Sequence, residues 1–135
     1  MAIQKQAQRY PCFLVDIVVV GRLLRLQLDS GTAYRLTVTV RSWSRLSCEF
    51  RGVSLKERTL LYPYIGRLPC RAAVVRELPV GARLLKRSRV IVLPDDGALL
   101  SGTDGLIGMA CFRDTWVMPD FQRMALWVSD NDRET

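Results

Sequence analysis

Apolar and polar residues alternate with a period of two over much of this sequence, and that pattern constrains the fold more than any other feature. β-Branched residues are frequent at positions 13–20, Gly21 follows, and leucines then alternate with polar residues as far as Asp29. Similar β-type segments recur at 37–40, 72–75 and 90–93. Alternation of this kind is typical of strands that bury one face. We therefore expect an all-β chain that begins with a hairpin whose second strand ends at Asp29.

Helical periodicity is weak by comparison. The only helix that we expect is short and lies around residues 109–114. Residues 47–50 and 52–55 are interpreted as a short pair of strands, and residues 124–128 as the last strand of the chain.

The length of 135 residues, with 49% apolar content, is enough for one compact domain and too short for two. We expect that domain at 13–128, with an N-terminal arm at 1–12 and a polar tail at 129–135. No apolar run approaches the roughly 20 residues that a membrane span requires. The first ten residues are polar and lack the apolar stretch of a secretory signal. We therefore expect a cytoplasmic protein without a membrane partner.

Histidine is absent, and its absence excludes more chemistry than any other property of the composition. Ser-His and Cys-His catalysis are not possible, so an enzyme would have to use carboxylates, Lys, Tyr or Ser. Cysteine metal sites need two ligands a few residues apart, and the cysteines here are widely separated. We expect no metal and no cofactor, and we interpret the four cysteines as buried thiols: Cys12, Cys48, Cys70 and Cys111.

The net charge of +7 comes mainly from arginines in the first 94 residues. One compact basic group could attract nucleic acid, and it consists of Arg83, Lys86, Arg87 and Arg89. No helix-turn-helix, zinc finger or aromatic RNA-binding pattern accompanies it. A solvated basic surface is therefore favoured, and nucleic-acid binding is kept as an alternative.

Two short segments carry the chemistry that the composition leaves open. Residues 29–32, Asp-Ser-Gly-Thr, place a carboxylate at the end of an apolar strand, although such residues are also common in ordinary β-turns. Residues 104–112 place two apolar residues directly before Gly108, after another strand. The two segments occur in a fixed order and each lies next to strands, so the pair is a more specific signal of function than either segment alone.

Together, the two segments resemble the motifs of the retropepsin-like (retroviral-type) aspartic proteases, which consist of a single lobe, and we expect a bacterial-type member. The resemblance spans about residues 13–128. It implies an all-β acid-protease lobe, a small closed β-barrel or sheet with a ψ-loop and one short helix, that is active as a symmetric dimer. It also implies the activity of an aspartic endopeptidase on a polypeptide substrate.

The first motif of this family implies a role for each of its residues. Asp29 matches the catalytic carboxylate, which activates a water together with a second carboxylate. Ser30 matches the hydroxyl that locks the two catalytic loops together, and Gly31 matches a position where the backbone is approached too closely for a side chain. Thr32 matches a hydroxyl that can bond the outer carboxylate oxygen.

The second motif and the region between the motifs imply further roles. Leu106, Ile107 and Gly108 match the ψ-loop that packs under the catalytic turn. The flap, a hairpin that closes over substrate in this family, is expected between the motifs within residues 55–68. The candidate flap residues are Tyr62, Tyr64 and Gly66.

Only one Asp-Ser-Gly occurs in the sequence, so one chain supplies one of the two carboxylates that this chemistry needs. The resemblance therefore implies a homodimer in which Asp29 of each copy meets at a two-fold axis. Two alternatives remain open: a catalytically silent dimerisation or peptide-binding module of the same fold, and a basic β-domain that binds nucleic acid.

Overall fold

The computed structural model describes residues 13–29, 32, 34–62, 66–94, 102–113, 115–123 and 125–129. Several sequence predictions fall outside these residues: the N-terminal arm at 1–12, most of the polar tail, Cys12, Ser30, Gly31 and Tyr64. Within the described residues, no helix is both long and apolar enough to cross a membrane.

Strands account for most of the described chain. They are β1 (Leu14–Val19), β2 (Arg22–Asp29), β3 (Leu36–Thr39), β4 (Lys56–Tyr62), β5 (Gly66–Val80), β6 (Arg83–Leu93), β7 (Gly105–Gly108), β8 (Val117–Asp120) and β9 (Ala125–Val128). The α-helix α1 (Val40–Leu46) follows β3, and short 3₁₀ helices cover Ser47–Glu49 and Met109–Phe112. The prediction of an all-β chain is confirmed.

Seven of the strands form one sheet in the order β1-β2-β7-β3-β6-β5-β4. Strand β7 is parallel to β2 and antiparallel to β3. One residue pair, Val19 with Val80, also joins β1 to β5. Strands β8 and β9 form a separate antiparallel hairpin. The sheet therefore places β7 between two strands, β2 and β3, that follow each other along the chain.

The first hairpin forms as the alternation predicted, with β2 ending at Asp29. Its turn consists of Val20 and Gly21, which have φ angles of 50° and 77°. Positive φ at both turn residues gives the twist that a two-residue hairpin requires, and glycine adopts it at little cost. The hairpin pairs Val19 with Arg22.

Two apolar clusters hold the sheet together. The larger one contains the inward side chains of β2, β3, β5, β6 and β7, together with Trp43 and Leu46 of α1. The smaller one contains Cys70, Ala72, Ile91, Leu93 and Leu106, with Leu60 and Tyr34 packed against it. Each fully buried Leu, Ile or Val contributes about 1.5–3 kcal/mol relative to exposure. Burial on these clusters fixes the register of the strands.

Helix α1 was not predicted, since β-branched residues favour a strand at 37–40. The strand ends at Thr39, whose hydroxyl caps the helix by accepting a hydrogen bond from the Ser42 backbone N–H at 3.1 Å. Trp43 and Leu46 then become buried. The cap and this burial therefore favour a helix where local propensity alone favours a strand. Where the sequence predicted its one helix, around residues 109–114, a 3₁₀ helix forms at Met109–Phe112.

The predicted strand pair at 47–50 and 52–55 is wrong. A 3₁₀ helix covers Ser47–Glu49, and no strand follows before Lys56. Phe50 stacks on Trp43 with ring centroids 5.8 Å apart, and Gly52 turns the chain with a φ of 72°. The aromatic contact holds this segment against α1, so it does not pair as a strand.

The prediction of buried thiols is confirmed for Cys70 and Cys111 and is wrong for Cys48, which is exposed after α1. The Cys111 thiol donates to the Arg35 backbone carbonyl at 3.0 Å. Burial raises the pKa of Cys111 to about 12 and also raises the pKa of Cys70. Both buried thiols therefore remain protonated at neutral pH.

Candidate functional site

Asp29 is the last residue of β2, and the ladders on both sides of that strand position it. On one side β7 runs parallel, with Leu28 level with Ile107 and Asp29 level with Gly108. On the other side the Leu28 backbone N–H donates to the carbonyl of Phe13 at 2.9 Å. Asp29 is partly buried at this end of the strand. Asp29 is thus attached to a rigid strand end.

The residues predicted for the ψ-loop lie directly beside Asp29. Leu106, Ile107 and Gly108 are the last three residues of β7, which lies between β2 and β3. Ile107 is level with Leu28 on β2 and with Leu36 on β3. Two segments that are distant in the sequence therefore meet in one ψ-shaped arrangement.

Gly108 is the point at which β7 meets the segment that follows Asp29. Its backbone N–H donates to the carbonyl of Arg35 at 3.0 Å. A Cβ at this position would overlap the carbonyl oxygen of Tyr34 and lie 2.8 Å from Cγ2 of Thr32. The absence of a side chain at Gly108 therefore lets this segment pack directly on β7, which we call the ψ strand.

Thr32 contacts its own loop through its hydroxyl. Its Oγ1 accepts a hydrogen bond from the Tyr34 backbone N–H at 3.3 Å. A hydroxyl that accepts in this way still has its hydrogen to donate. The expected bond from Thr32 to a carboxylate oxygen of Asp29 stays a prediction.

Asp104, which the sequence did not single out as functional, joins the elements around the site. Its carboxylate accepts from the Arg25 backbone N–H at 2.8 Å and from the Ser42 hydroxyl at 3.0 Å, and Arg45 lies 3.8 Å away. Its backbone N–H donates to Arg25, and its carbonyl accepts from Thr39. Asp104 therefore connects β2, β3 and α1 immediately before β7. The sequence feature that could have identified Asp104 is its position directly before the residues predicted for the ψ-loop.

Gly105, the first residue of β7, was also missed. A Cβ there would overlap the carbonyl oxygen of Thr37 on the neighbouring strand. Both ends of the short strand β7 therefore require glycine, because β3 and the segment directly before it approach β7 closely.

The candidate flap region forms a hairpin. Strand β4 pairs along its length with residues 66–72 of β5, and Tyr62 lies opposite Gly66, whose φ is 92°. Leu60 of this hairpin and Tyr34 of the segment after Asp29 pack on the same small cluster as Leu106. The hairpin therefore shares one apolar cluster with β7 and with the segment that follows Asp29.

A groove of about 1520 Å³ runs between β1, the turn at Gly81 and β9, and Asp29 is not among its lining residues. In the part of the chain that the structure describes, no group of three or more Cys, Asp or Glu side chains could hold a metal ion. Within the basic cluster, Lys86 pairs with Glu77 at 2.7 Å, and Arg83 contacts the Thr115 hydroxyl at 3.4 Å.

Comparison with known proteins identifies the fold. No family model and no curated protein matches the sequence. A retropepsin-like aspartic protease from Rickettsia conorii matches with a TM-score of 0.55 and 13% identity, over 83% of this chain and 79% of that one. The retroviral protease-like domain of Ddi1 from Leishmania major matches with a TM-score of 0.51 and 19% identity, over 89% and 90%.

A third similar structure is the EIAV protease in complex with the inhibitor HBY-793. It has a TM-score of 0.50 and 15% identity, with 81% of this chain and 90% of that chain covered. At these identities the matches show the fold alone. The fold is retropepsin-like, as the two sequence motifs predicted.

Proposed function

We propose that this retropepsin-like chain is an aspartic endopeptidase, in which Asp29 carboxylates from two copies activate a water to hydrolyse a peptide bond. The observation that carries the proposal is the position of Asp29. It ends β2 level with Gly108, in a ψ-shaped arrangement of three strands. The retropepsin-like fold of the solved neighbours supports the same assignment.

The chemistry follows from two carboxylates that share one site. Because like charges at close range cannot both ionise cheaply, one carboxylate keeps a proton while the other stays charged. The charged one removes a proton from water as the water oxygen attacks the peptide carbonyl. The protonated one donates to the substrate, and proton transfer to the amide nitrogen allows the C–N bond to break. No histidine is required.

Other residues have supporting roles in this proposal. The Ser30 hydroxyl bonds across the two catalytic loops, and Gly31 leaves space for the backbone of the partner and the substrate. The Thr32 hydroxyl orients the outer carboxylate oxygen. The β4–β5 hairpin closes over the substrate as the flap, and its candidate residues are Tyr62, Tyr64 and Gly66. Leu106, Ile107 and Gly108 support the catalytic turn from below.

Two copies are needed because the sequence contains one Asp-Ser-Gly. In a two-fold dimer the same surface of each copy forms the interface, so both Asp29 side chains meet at the axis. The active species is therefore a homodimer, and the substrate is a polypeptide. Activity per chain should fall on dilution as the dimer dissociates.

Cleavage of an unstructured protein by the purified chain tests the proposal. Asp29→Asn should abolish cleavage, since an amide cannot act as the base. Asp16→Asn is a matched control, because Asp16 is an exposed carboxylate on β1 that pairs with Arg25. Equal cleavage by the wild type and Asp29→Asn would show that the catalytic assignment is wrong. A thermal melt of each variant separates loss of chemistry from loss of folding.

A further inference from the structure

A long groove lies between β1 and β9. It has a volume of about 1520 Å³ and is lined by consecutive residues of both strands, 14–18 of β1 and 125–129 of β9. Because neighbouring side chains of a strand point to opposite faces, a groove that consecutive residues line is open along the edge of the strand. Two strand edges therefore border the groove, and it is larger than the roughly 300–1,000 Å³ typical of a small-molecule pocket.

The two bordering strands run in the same direction along the groove. Near their starts, Phe13 contacts Phe121 of the β8–β9 turn, with ring centroids 5.1 Å apart. At the other end, Arg83 is level with Val80, which pairs with the end of β1, and contacts the Thr115 hydroxyl shortly before β8. One extended segment can therefore lie between the two strands and follow both of them.

The edge of β1 that faces away from β2 has unused backbone groups. The Val18 carbonyl accepts from the Gly81 N–H at 2.8 Å, and the Val20 N–H donates to Pro79 at 3.1 Å. Since the hydrogen bonds of an antiparallel pair alternate along a strand, Leu14 and Asp16 direct their N–H and C=O groups to the same edge. Among the residues that the structure describes, no backbone group bonds to these two on that edge.

The edge of β9 that faces away from β8 has the same property. The Ser129 N–H donates to the Trp116 carbonyl, and Pro119, which has no N–H, is level with Leu126. The backbone groups of Leu126 and Val128 therefore point away from β8, and no strand of the described chain pairs with them there. An unpaired strand edge is a template for an added strand, whose main-chain hydrogen bonds supply affinity.

Apolar side chains on the walls of the groove indicate what kind of segment fits it. Three large ones remain substantially exposed: Val18 is 47% exposed, Leu84 50% and Trp127 53%. The strand β9 itself is fixed, because the side chains of Leu126 and Val128 pack on the larger apolar cluster. The exposed walls therefore belong to anchored elements, and an apolar segment in the groove would remove them from water.

Arg83 adds a charge requirement at one end of the groove. Its guanidinium donates to the Thr115 hydroxyl at 3.4 Å, and its Nε has no hydrogen-bond partner. No acidic side chain of the described residues lies within 4 Å of it, whereas the other two charged groups on the groove, Asp16 and Arg25, pair with each other. A guanidinium has five N–H donors in a planar arrangement that matches a carboxylate.

We propose that the groove binds an extended, largely apolar segment of a different protein as an added strand between β1 and β9, with a carboxylate of that segment on Arg83. The ends of this chain fit less well, since residues 1–12 contain no Asp or Glu and residues 130–135 contain no large apolar residue. A second copy carries the same charge of +7 and is repelled. Asp29 does not line the groove, so the inference does not rest on the proposed function.

Two synthetic peptides of alternating valine and threonine test the charge requirement. One carries glutamate at both ends and the other glutamine, and fluorescence anisotropy measures the binding of each to the full chain. The glutamate peptide should bind about tenfold more tightly, the size of a hydrogen bond to a charged group. Arg83→Gln should remove this difference. Arg76→Gln is the matched control, because Arg76 is an exposed arginine on β5 that does not line the groove.

Amide hydrogen exchange, followed by NMR, tests the added strand. When the glutamate peptide binds, exchange should slow by about tenfold or more at the amides that face the groove, while Val15, which faces β2, should change little. The amides that should slow are those of Leu14, Asp16, Leu126 and Val128.

The remaining outcomes overturn the inference. The absence of saturable binding of both peptides up to about 1 mM overturns it, and so does protection confined to other strands. Equal affinity for the two peptides, or an Arg83→Gln variant with a normal thermal melt that still prefers glutamate, overturns the role of Arg83. Slow exchange at the four amides without peptide would show that the chain itself, or a second copy if dilution removes the effect, fills the groove. None of these results depends on cleavage, so the protease assignment is tested separately.

Discussion

Asp29 and Gly108 lie level with each other in the parallel ladder between β2 and β7. The carboxylate thus stands beside the one residue of the ψ strand at which a Cβ would overlap the carbonyl of Tyr34. The segment after Asp29 packs on this glycine, and the Gly108 N–H donates to Arg35. The position of the proposed catalytic carboxylate therefore depends on the lack of a side chain on the neighbouring strand.

Gly108→Ala should destabilise the protein and reduce cleavage, because the added methyl must displace the backbone of Tyr34. Overpacking of this kind costs about 1–3 kcal/mol, measurable by urea denaturation. Gly52→Ala is a useful comparison, since a Cβ there meets nothing within 4 Å and only the positive φ is unfavourable. A smaller loss of stability at Gly108 than at Gly52 would contradict the importance of this close approach.

Asp104→Asn should reduce stability, because an amide cannot accept both the Arg25 N–H and the Ser42 hydroxyl through two oxygens. Leaving one buried donor without a partner costs about 1–3 kcal/mol. The midpoint of chemical unfolding measures the change. Asp16→Asn removes a carboxylate from an exposed ion pair and should shift the midpoint less. Equal shifts for the two variants would argue against a joining role for Asp104.

Thr39→Ala should destabilise α1, because the Thr39 hydroxyl accepts from the Ser42 N–H and donates to the Ser42 hydroxyl. Loss of a helix N-cap costs about 1 kcal/mol. Thr39→Ser retains the hydroxyl and should recover most of the loss. Thermal or urea unfolding of both variants distinguishes the cap from the methyl group, and an equally unstable Thr39→Ser would count against the cap.

The buried Cys111 thiol should make stability fall at alkaline pH. Burial raises its pKa from the ordinary 9.0 to about 12 in the folded state. Between these values the folded state keeps a proton that the unfolded state loses, so the free energy of unfolding decreases as pH rises. Cys111→Ala should flatten the decrease between pH 9 and pH 12. An unchanged slope in unfolding titrations would show that other groups cause it.

Thiol labelling should distinguish Cys48 from Cys70 and Cys111. Cys48 is exposed, whereas Cys70 and Cys111 are buried and burial raises the pKa of each. Since the thiolate is the reactive form, an alkylating reagent at neutral pH should modify Cys48 before Cys70 and Cys111. Peptide mass spectrometry measures the rates, and unfolding in denaturant should equalise them. Fast labelling of Cys111 in the folded protein would contradict its burial.

Local alternation was sufficient to predict several elements. The first hairpin and its end at Asp29 follow from leucines that alternate with polar residues. Strands β5 and β6 contain the predicted segments 72–75 and 90–93, although both strands extend well beyond them. Alternation reports which side chains share a face, and does so correctly wherever one face is buried.

Helix α1 and the role of Asp104 could not be predicted in this way. The β-branched residues before α1 favour a strand, and the helix depends on burial of Trp43 and Leu46 against other elements. From the sequence, Asp104 is indistinguishable from an ordinary polar turn residue, and its role follows only from the contacts with Arg25 and Ser42. Both features depend on contacts between residues distant in the chain.

By itself, the sequence determined the strand pattern, the exclusion of histidine chemistry and the presence of a single Asp-Ser-Gly. Tertiary structure decided that β7 inserts between β2 and β3, which brings Gly108 level with Asp29, and that the β8–β9 hairpin leaves Trp116 and Trp127 exposed. The physical reason is that alternation is a local property of the chain, whereas strand pairing depends on contacts between distant residues. Alternation records whether each residue faces the core or solvent, whereas the pairing of distant strands is selected by how completely the assembled sheet buries its apolar faces.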